Sequence, residues 1–190
     1  MTKKTLRKAR WFWEDYVGVK WKNVNVANTG EGLGAYAYVQ GKNSKSQYKP
    51  KSLFYHYQVG GIDSSKHKLD KVSFVLVIRK FNPKENDYPT LKVFYGDNNA
   101  PYRKTPIKTV STFKRLKNQY EYDKYTLEYD LTGVTIAQLK NIIVEVDWKK
   151  TKVSSKSTIS VNRGRLEVNY SLQNPKWGLY SSLLIVLFVT

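Results

Sequence analysis

The sequence contains no cysteine, a single methionine and two histidines, His56 and His67. Without cysteine there is no disulfide framework, cysteine-ligated zinc, iron–sulfur cluster or thiol catalysis. Neither histidine lies in a motif typical of hydrolases or metalloproteases. We therefore expect a protein that is not an enzyme and that needs no cofactor.

Acidic residues are also scarce, since 15 Asp and Glu stand against 33 Lys and Arg and give a formal net charge of +18. This excess points to an anionic partner such as nucleic acid, an acidic glycan or a membrane surface. Lysine could equally serve solubility alone. A genome rich in A/T codons would also raise lysine, asparagine and tyrosine together, so the charge by itself does not establish a partner.

A chain of 190 residues suffices for one domain of about 150 residues with short extensions. Hydrophobic residues make up 41% of the chain and aromatic residues 14%, which excludes a disordered or coiled-coil protein. We expect a basic and aromatic N-terminal arm over residues 1–15, one β-sandwich over residues 16–172 and an apolar C-terminal tail over residues 173–190.

The expected N-terminal arm combines positive charge with aromatic side chains. Trp11–Trp13 would either anchor the arm or cover one edge of the core. Glu14 and Asp15 interrupt the apolar run, so the segment is not a standard signal peptide. The candidates for contact with a polyanion are Lys3, Lys4, Arg7, Lys8 and Arg10.

The expected C-terminal tail ends in the continuous apolar run Leu183–Val189. A spanning helix needs about 20 apolar residues, so we expect no membrane span. The β-branched residues and Phe188 favour a buried core strand or a subunit contact. A terminus altered by truncation or frameshift is the remaining alternative.

Between these ends, alternating apolar and polar residues predict many short strands and an all-β fold, a single antiparallel jelly-roll sandwich. The strongest alternation or apolar character occurs in Leu53–Val59, Lys71–Phe81, Leu91–Tyr95, Thr109–Leu116, Tyr125–Leu131 and Ile142–Trp148.

Two further elements follow from local signals. A turn at Asn162–Arg165 predicts a hairpin between Ile159–Val161 and Leu166–Tyr170. Thr135–Asn141 is the one segment typical of a helical turn, with Thr132 or Thr135 as its N-cap.

Short motifs follow one another along the domain in a characteristic order. The order is a Trp followed by Asn and Ala, a glycine-spaced loop, a Tyr-Ala strand, a long apolar strand, a Leu-Thr element, a V-x-V strand and a closing V-x-Y strand. These are Trp21–Ala27, Gly30–Gly34, Ala35–Tyr38, Val59–Ile62 with Leu69–Lys80, Leu131–Gly133 with Ile136–Leu139, Ile142–Trp148 and Leu166–Ser171. Over residues 16–172 this order resembles the galactose-binding-like jelly-roll domain of tail and minor structural proteins of phages and archaeal viruses, and of prophage surface proteins.

This resemblance implies a non-enzymatic structural module, tail- or surface-associated, located in a virion or at the cell surface. Its implied partners are other virion subunits, copies of itself, or a cell-surface glycan. Two alternatives stay open. One is a capsid-type jelly roll whose basic arm binds nucleic acid, and the other is a glycan-degrading enzyme that uses a pair of carboxylates.

A sandwich that binds sugar needs an exposed aromatic face for CH–π contact beside polar groups that read the hydroxyls. Fifteen tyrosines exceed what a core of this size needs. The alternative for each tyrosine is a strand residue whose hydroxyl reaches water. The candidate ligand-binding residues at the predicted loop end are Tyr36, Tyr38, Tyr102, Arg103, Lys104, Tyr120 and Tyr122.

Three pairs of carboxylates lie two residues apart on predicted strands, and so share a face: Glu121/Asp123, Glu128/Asp130 and Glu145/Asp147. Such a pair could serve a glycosidase or a hard cation. With so many lysines, cross-strand ion pairs are the favoured interpretation. Asp97–Asn99 could bind Ca²⁺ through oxygen ligands, although a plain turn is favoured over a metal site.

Overall fold

The computed structural model of the chain describes residues 1–6, 8–16, 20–29, 37–40, 50–81, 88–117, 124–148 and 158–173. Within these ranges the chain forms eleven strands and three four-residue helices. The strands are β1 (Thr2–Leu6), β2 (Trp11–Glu14), β3 (Ala37–Gln40), β4 (Leu53–Tyr57), β5 (His67–Phe81), β6 (Thr90–Tyr95), β7 (Lys108–Val110), β8 (Lys114–Lys117), β9 (Lys124–Asp130), β10 (Ile142–Asp147) and β11 (Thr158–Leu172). The helices are α1 (Val26–Thr29), α2 (Ala100–Arg103) and α3 (Ile136–Leu139).

The strands form two antiparallel sheets, which confirms the predicted all-β sandwich. The first sheet has the order β1-β11-β5-β9-β8, and β3 also pairs with β11. The second has the order β2-β4-β10-β6-β7. Tyr55 of the second sheet meets Phe74 of the first with 5.2 Å between ring centroids, so the two inner faces share one core.

Trp148 lies in this core, as its parity with Val144 and Val146 predicts. The predicted helical turn is also confirmed and begins at Thr135. The Thr135 hydroxyl accepts a hydrogen bond from the Gln138 backbone N–H at 3.2 Å, while the Gln138 side chain accepts one from the Thr135 N–H at 2.9 Å. This reciprocal capping box satisfies two of the free N–H groups at the helix start.

The hairpin predicted at Asn162–Arg165 is wrong, because β11 runs through these residues as a single strand. A register shift between Val161 and Arg163 takes up one extra residue as a bulge. Gly164 serves packing here, not a turn. It faces inward, and a Cβ at this position would lie 2.5 Å from the Phe74 ring and 2.8 Å from the Tyr55 ring.

The segment predicted as one strand, Thr109–Leu116, is two strands in different sheets. β7 pairs with β6 in the second sheet, and β8 pairs with β9 in the first. Residues 111–113 carry the chain from one sheet to the other. The alternation of residues along the sequence does not reveal this change of sheet.

Residues 1–15, set apart in the sequence as an arm, contribute an edge strand to each sheet. β1 pairs with β11 and β2 pairs with β4. In β2, Phe12 packs against the core, whereas Trp11 and Trp13 lie on the outer face of the second sheet, beside His56 and Phe54. The tail lies outside the described residues after Gln173. In the ranges that the structure describes, no helix is long and apolar enough to cross a membrane.

Candidate functional site

The outer face of the second sheet carries a group of aromatic side chains. Along β4, Leu53, Tyr55 and Tyr57 turn into the core, so the alternate residues Phe54 and His56 turn outward. The neighbouring strands and α2 add further rings on the same side. We call the following residues the aromatic surface: the exposed Trp11 and Tyr102, the partly buried Trp13, and the buried Phe54 and Phe94.

Helix α2 lies over this face and holds Tyr102 against it. Trp13 stacks on Phe54 with 5.1 Å between centroids, and its Nε1–H donates to the Tyr102 hydroxyl at 3.2 Å. Partial burial raises the pKa of Tyr102, so its hydroxyl stays neutral. Half of this side chain remains exposed, at 50%. The surface therefore presents a fixed ring to solvent.

Trp11 is the second exposed ring of this surface, at 38% exposure. It pairs with His56 across β2 and β4, and the two ring centroids are 4.7 Å apart. The Arg10 guanidinium carbon lies 4.3 Å from the Trp11 ring centroid. This cation–π contact and the histidine hold the indole in place beside polar groups.

Those polar groups form a continuous chain of hydrogen bonds, which we call the amide–histidine network: Arg10, Gln58, Asn141, His56 and Asn98. The Arg10 guanidinium donates to Gln58 Oε1, and Gln58 Nε2 donates to Asn141 Oδ1 at 3.2 Å. His56 Nε2 lies 2.7 Å from the same oxygen of Asn141. Its Nδ1 contacts Asn98 Oδ1. Four carboxamide or imidazole groups thus lie beside one exposed indole.

The antiparallel topology explains why residues so distant in sequence meet at one end of the second sheet. Arg10 precedes β2, Gln58 follows β4, Asn98 follows β6 and Asn141 precedes β10. In antiparallel neighbours these strand ends coincide. The Asn141 carbonyl also accepts a hydrogen bond from the Gly96 N–H at 3.0 Å, which fixes the loop that carries Asn98.

The carboxylates Glu145 and Asp147 lie on the same outer face, and each is only 6% exposed. Lys92 Nζ is 2.5 Å from Asp147 and 3.6 Å from Glu145, which confirms the predicted cross-strand ion pairing. Partial burial opposes the charge on Lys92, but the hydrogen bond to Asp147 and the two negative charges outweigh it and raise the pKa of the ammonium group. Glu145 and Asp147 thus share one ion-pair partner, the ammonium group of Lys92.

The structure separates the predicted ligand-binding residues. Tyr102 and Arg103 belong to α2, and Lys104 follows them, with its Nζ 3.3 Å from the Tyr95 carbonyl oxygen. Tyr38 lies in β3 of the first sheet, where the Lys22 ammonium is 5.4 Å from its ring centroid. Tyr36, Tyr120 and Tyr122 fall outside the described residues.

The predicted polyanion-contact residues are also distributed over several environments. Lys3 forms an ion pair with Glu167 at 2.8 Å, and Lys4 donates to the Gly60 carbonyl. Lys8 is exposed, and Arg10 belongs to the network described above. Arg7 lies outside the described residues.

The Asp97–Asn99 turn uses its oxygens within the protein. Asp97 Oδ1 accepts the Asn99 N–H at 3.0 Å, and Asn98 Oδ1 contacts His56. In the described part of the chain, no group of three or more His, Asp or Glu side chains is placed to hold a metal ion.

No family model matches this sequence, and no curated protein does. The function must therefore be inferred from the site itself.

Neither Trp11 nor His56 is assigned to a binding site by the sequence alone. The local pattern predicts Trp11 as an anchor or edge cover and His56 as a strand residue without catalytic partners. One signal is present, because W-F-W and F-Y-H each place two rings on one face of a strand. The register that pairs Trp11 with His56 is a tertiary feature that no local pattern contains.

Proposed function

We propose that this protein is a non-enzymatic, tail- or surface-associated structural module of a virion or prophage that binds a cell-surface glycan through the aromatic surface. The setting in a virion or prophage rests on the family resemblance. The glycan rests on the geometry of the second sheet.

The observation that carries this proposal is the exposed Trp11 ring with the amide–histidine network beside it. The exposed part of the Trp11 indole offers apolar contact to a pyranose ring, and neighbouring amide and guanidinium groups can hydrogen bond the sugar oxygens. Tyr102 gives a second exposed ring on the same face. Binding sites for small ligands commonly combine apolar rings with a few placed polar groups in this way.

The contacts of the carboxylates Glu145 and Asp147 favour a glycan-binding protein over a glycan-degrading enzyme. A glycosidase needs one carboxyl group that stays protonated as the acid. Here both Glu145 and Asp147 form ion pairs with the same lysine, Lys92.

The basic N-terminal segment gives less support to the capsid alternative than the aromatic surface gives to glycan binding. A nucleic-acid arm needs lysines that are free to meet phosphates. Lys3 and Lys4 contact Glu167 and the Gly60 carbonyl instead.

The test is binding of the full chain to a panel of immobilised glycans, followed by titration of the best ligand. Trp11→Ala should weaken binding by about fivefold, because an aromatic contact contributes on the order of 1 kcal/mol. Tyr38→Ala, which removes an aromatic ring from the first sheet, is the matched control and should leave the affinity unchanged. Equal losses in both variants, or binding that survives Trp11→Ala, would contradict the proposed surface.

A further inference from the structure

We infer that the glycan carries an anionic group, a carboxylate, sulfate or phosphate, and that the amide–histidine network binds this group beside Trp11. The inference rests on the proposed function and names the class of ligand for the same site. It follows from the direction in which the hydrogen bonds of the network run.

Arg10 fixes this direction, because a guanidinium group can only donate hydrogen bonds. Gln58 must therefore present Oε1 to Arg10 and Nε2 to Asn141. Asn141 in turn presents Oδ1 to Gln58, and the same oxygen lies 2.7 Å from His56 Nε2. His56 Nε2 must then carry a proton. The other ring nitrogen of His56, Nδ1, contacts the carboxamide of Asn98.

The consequence is that the side-chain oxygens of Gln58 and Asn141 are already engaged within the network. What remains for a ligand is the second N–H of the Gln58 carboxamide, both N–H groups of the Asn141 carboxamide and the other N–H groups of Arg10, so donors outnumber acceptors. A neutral hydroxyl both donates and accepts, and it is matched by a mixed set of groups. A set of donors that includes a guanidinium matches an oxyanion.

The surrounding charges include cations that an anionic ligand can meet, beside carboxylates that are engaged within the protein. Glu145 and Asp147, the acidic pair on this face, are held by Lys92. Arg103 and Lys104 add two cations at α2. Asp97, in the loop that carries Asn98, has one carboxylate oxygen hydrogen-bonded to the Asn99 N–H.

The experiment compares ligands that share one sugar backbone and differ only in charge: dextran, carboxymethyl dextran, dextran sulfate and dextran phosphate at equal degrees of substitution. Calorimetric titration of the full chain at constant ionic strength measures each affinity. We expect at least one charged derivative to bind about tenfold more tightly than dextran, since a charge-assisted hydrogen bond contributes on the order of 1.5 kcal/mol. The tightest derivative identifies the anionic group.

Three variants locate the effect. Arg10→Gln and Gln58→Glu should each remove most of the advantage of the charged derivative, the first by deleting the cation and the second by placing a carboxylate against it. Gln58→Glu keeps the shape of the side chain and guards against a folding defect. Lys114→Gln, which removes the same charge from an exposed residue of β8 in the first sheet, is the control and should retain the advantage.

Two results would overturn the inference, and they separate it from the proposed function. Equal affinity for dextran and its charged derivatives, lost on Trp11→Ala, would leave a glycan site without anion selectivity. Charged derivatives that bind Trp11→Ala normally and lose affinity equally with Arg10→Gln and Lys114→Gln would show diffuse attraction to a basic protein. That second result would overturn the proposed surface as well.

Discussion

Gly164 has no room for a side chain, because the rings of Phe74 and Tyr55 approach its α-carbon from the two sheets. A Cβ would lie within 2.5–2.8 Å of both rings, and both are fully buried. Gly164→Ala should therefore lower the free energy of unfolding by about 1–3 kcal/mol, as overpacking of a filled core does. Urea denaturation measures this loss.

Gly60→Ala is the matched control for that substitution. A Cβ at Gly60 would have no heavy atom within 4 Å, so its effect should stay within about 0.5 kcal/mol. If the two variants proved equally stable, β11 would not be held against the second sheet at Gly164 in solution.

Among the short elements, α3 depends most visibly on a single side chain. The Thr135 hydroxyl caps its first turn, and the Leu139 carbonyl at its end accepts the Val59 N–H at 3.0 Å. Thr135→Ala should cost about 1 kcal/mol and lower the melting temperature by about 2–4 °C. Thr135→Ser keeps the hydroxyl and should melt close to the unchanged protein. A loss shared by both variants would point to the methyl group rather than to the cap.

The elements also show how far local pattern reaches. Alternation predicts β4, β6, β9 and β10 because each has one face in the core and keeps its register. It fails at β11, where residues 162–165 have the composition of a turn although the chain continues there as a bulged strand. It also fails between β7 and β8, where the chain passes from one sheet to the other. Both failures are decided by partners distant in sequence.

In the candidate site, too, local sequence patterns predict some residues, and partners distant in sequence determine the others. Composition and loop position predict Tyr102 and Arg103, and the structure places both on α2. No local pattern predicts the network around His56, because it joins four strand ends that only the sheet order brings together. The order of the strands in the sheet decides which loops lie side by side. The alternation of residues along one strand carries no information about that order.

At the scale of the whole molecule, the net charge of +18 makes the salt concentration the most informative variable in a binding experiment. Binding to duplex nucleic acid would lose affinity steeply, with log K falling by about 0.9 per phosphate contact for each unit of log salt. A glycan held by contact with Trp11 and by one anionic group at Arg10 involves few released counterions. We therefore expect a slope of about −1 or shallower for the best glycan, measured by titration between low and physiological salt. A slope several times steeper, together with tight binding of duplex DNA, would favour the nucleic-acid alternative, because only many simultaneous phosphate contacts produce it.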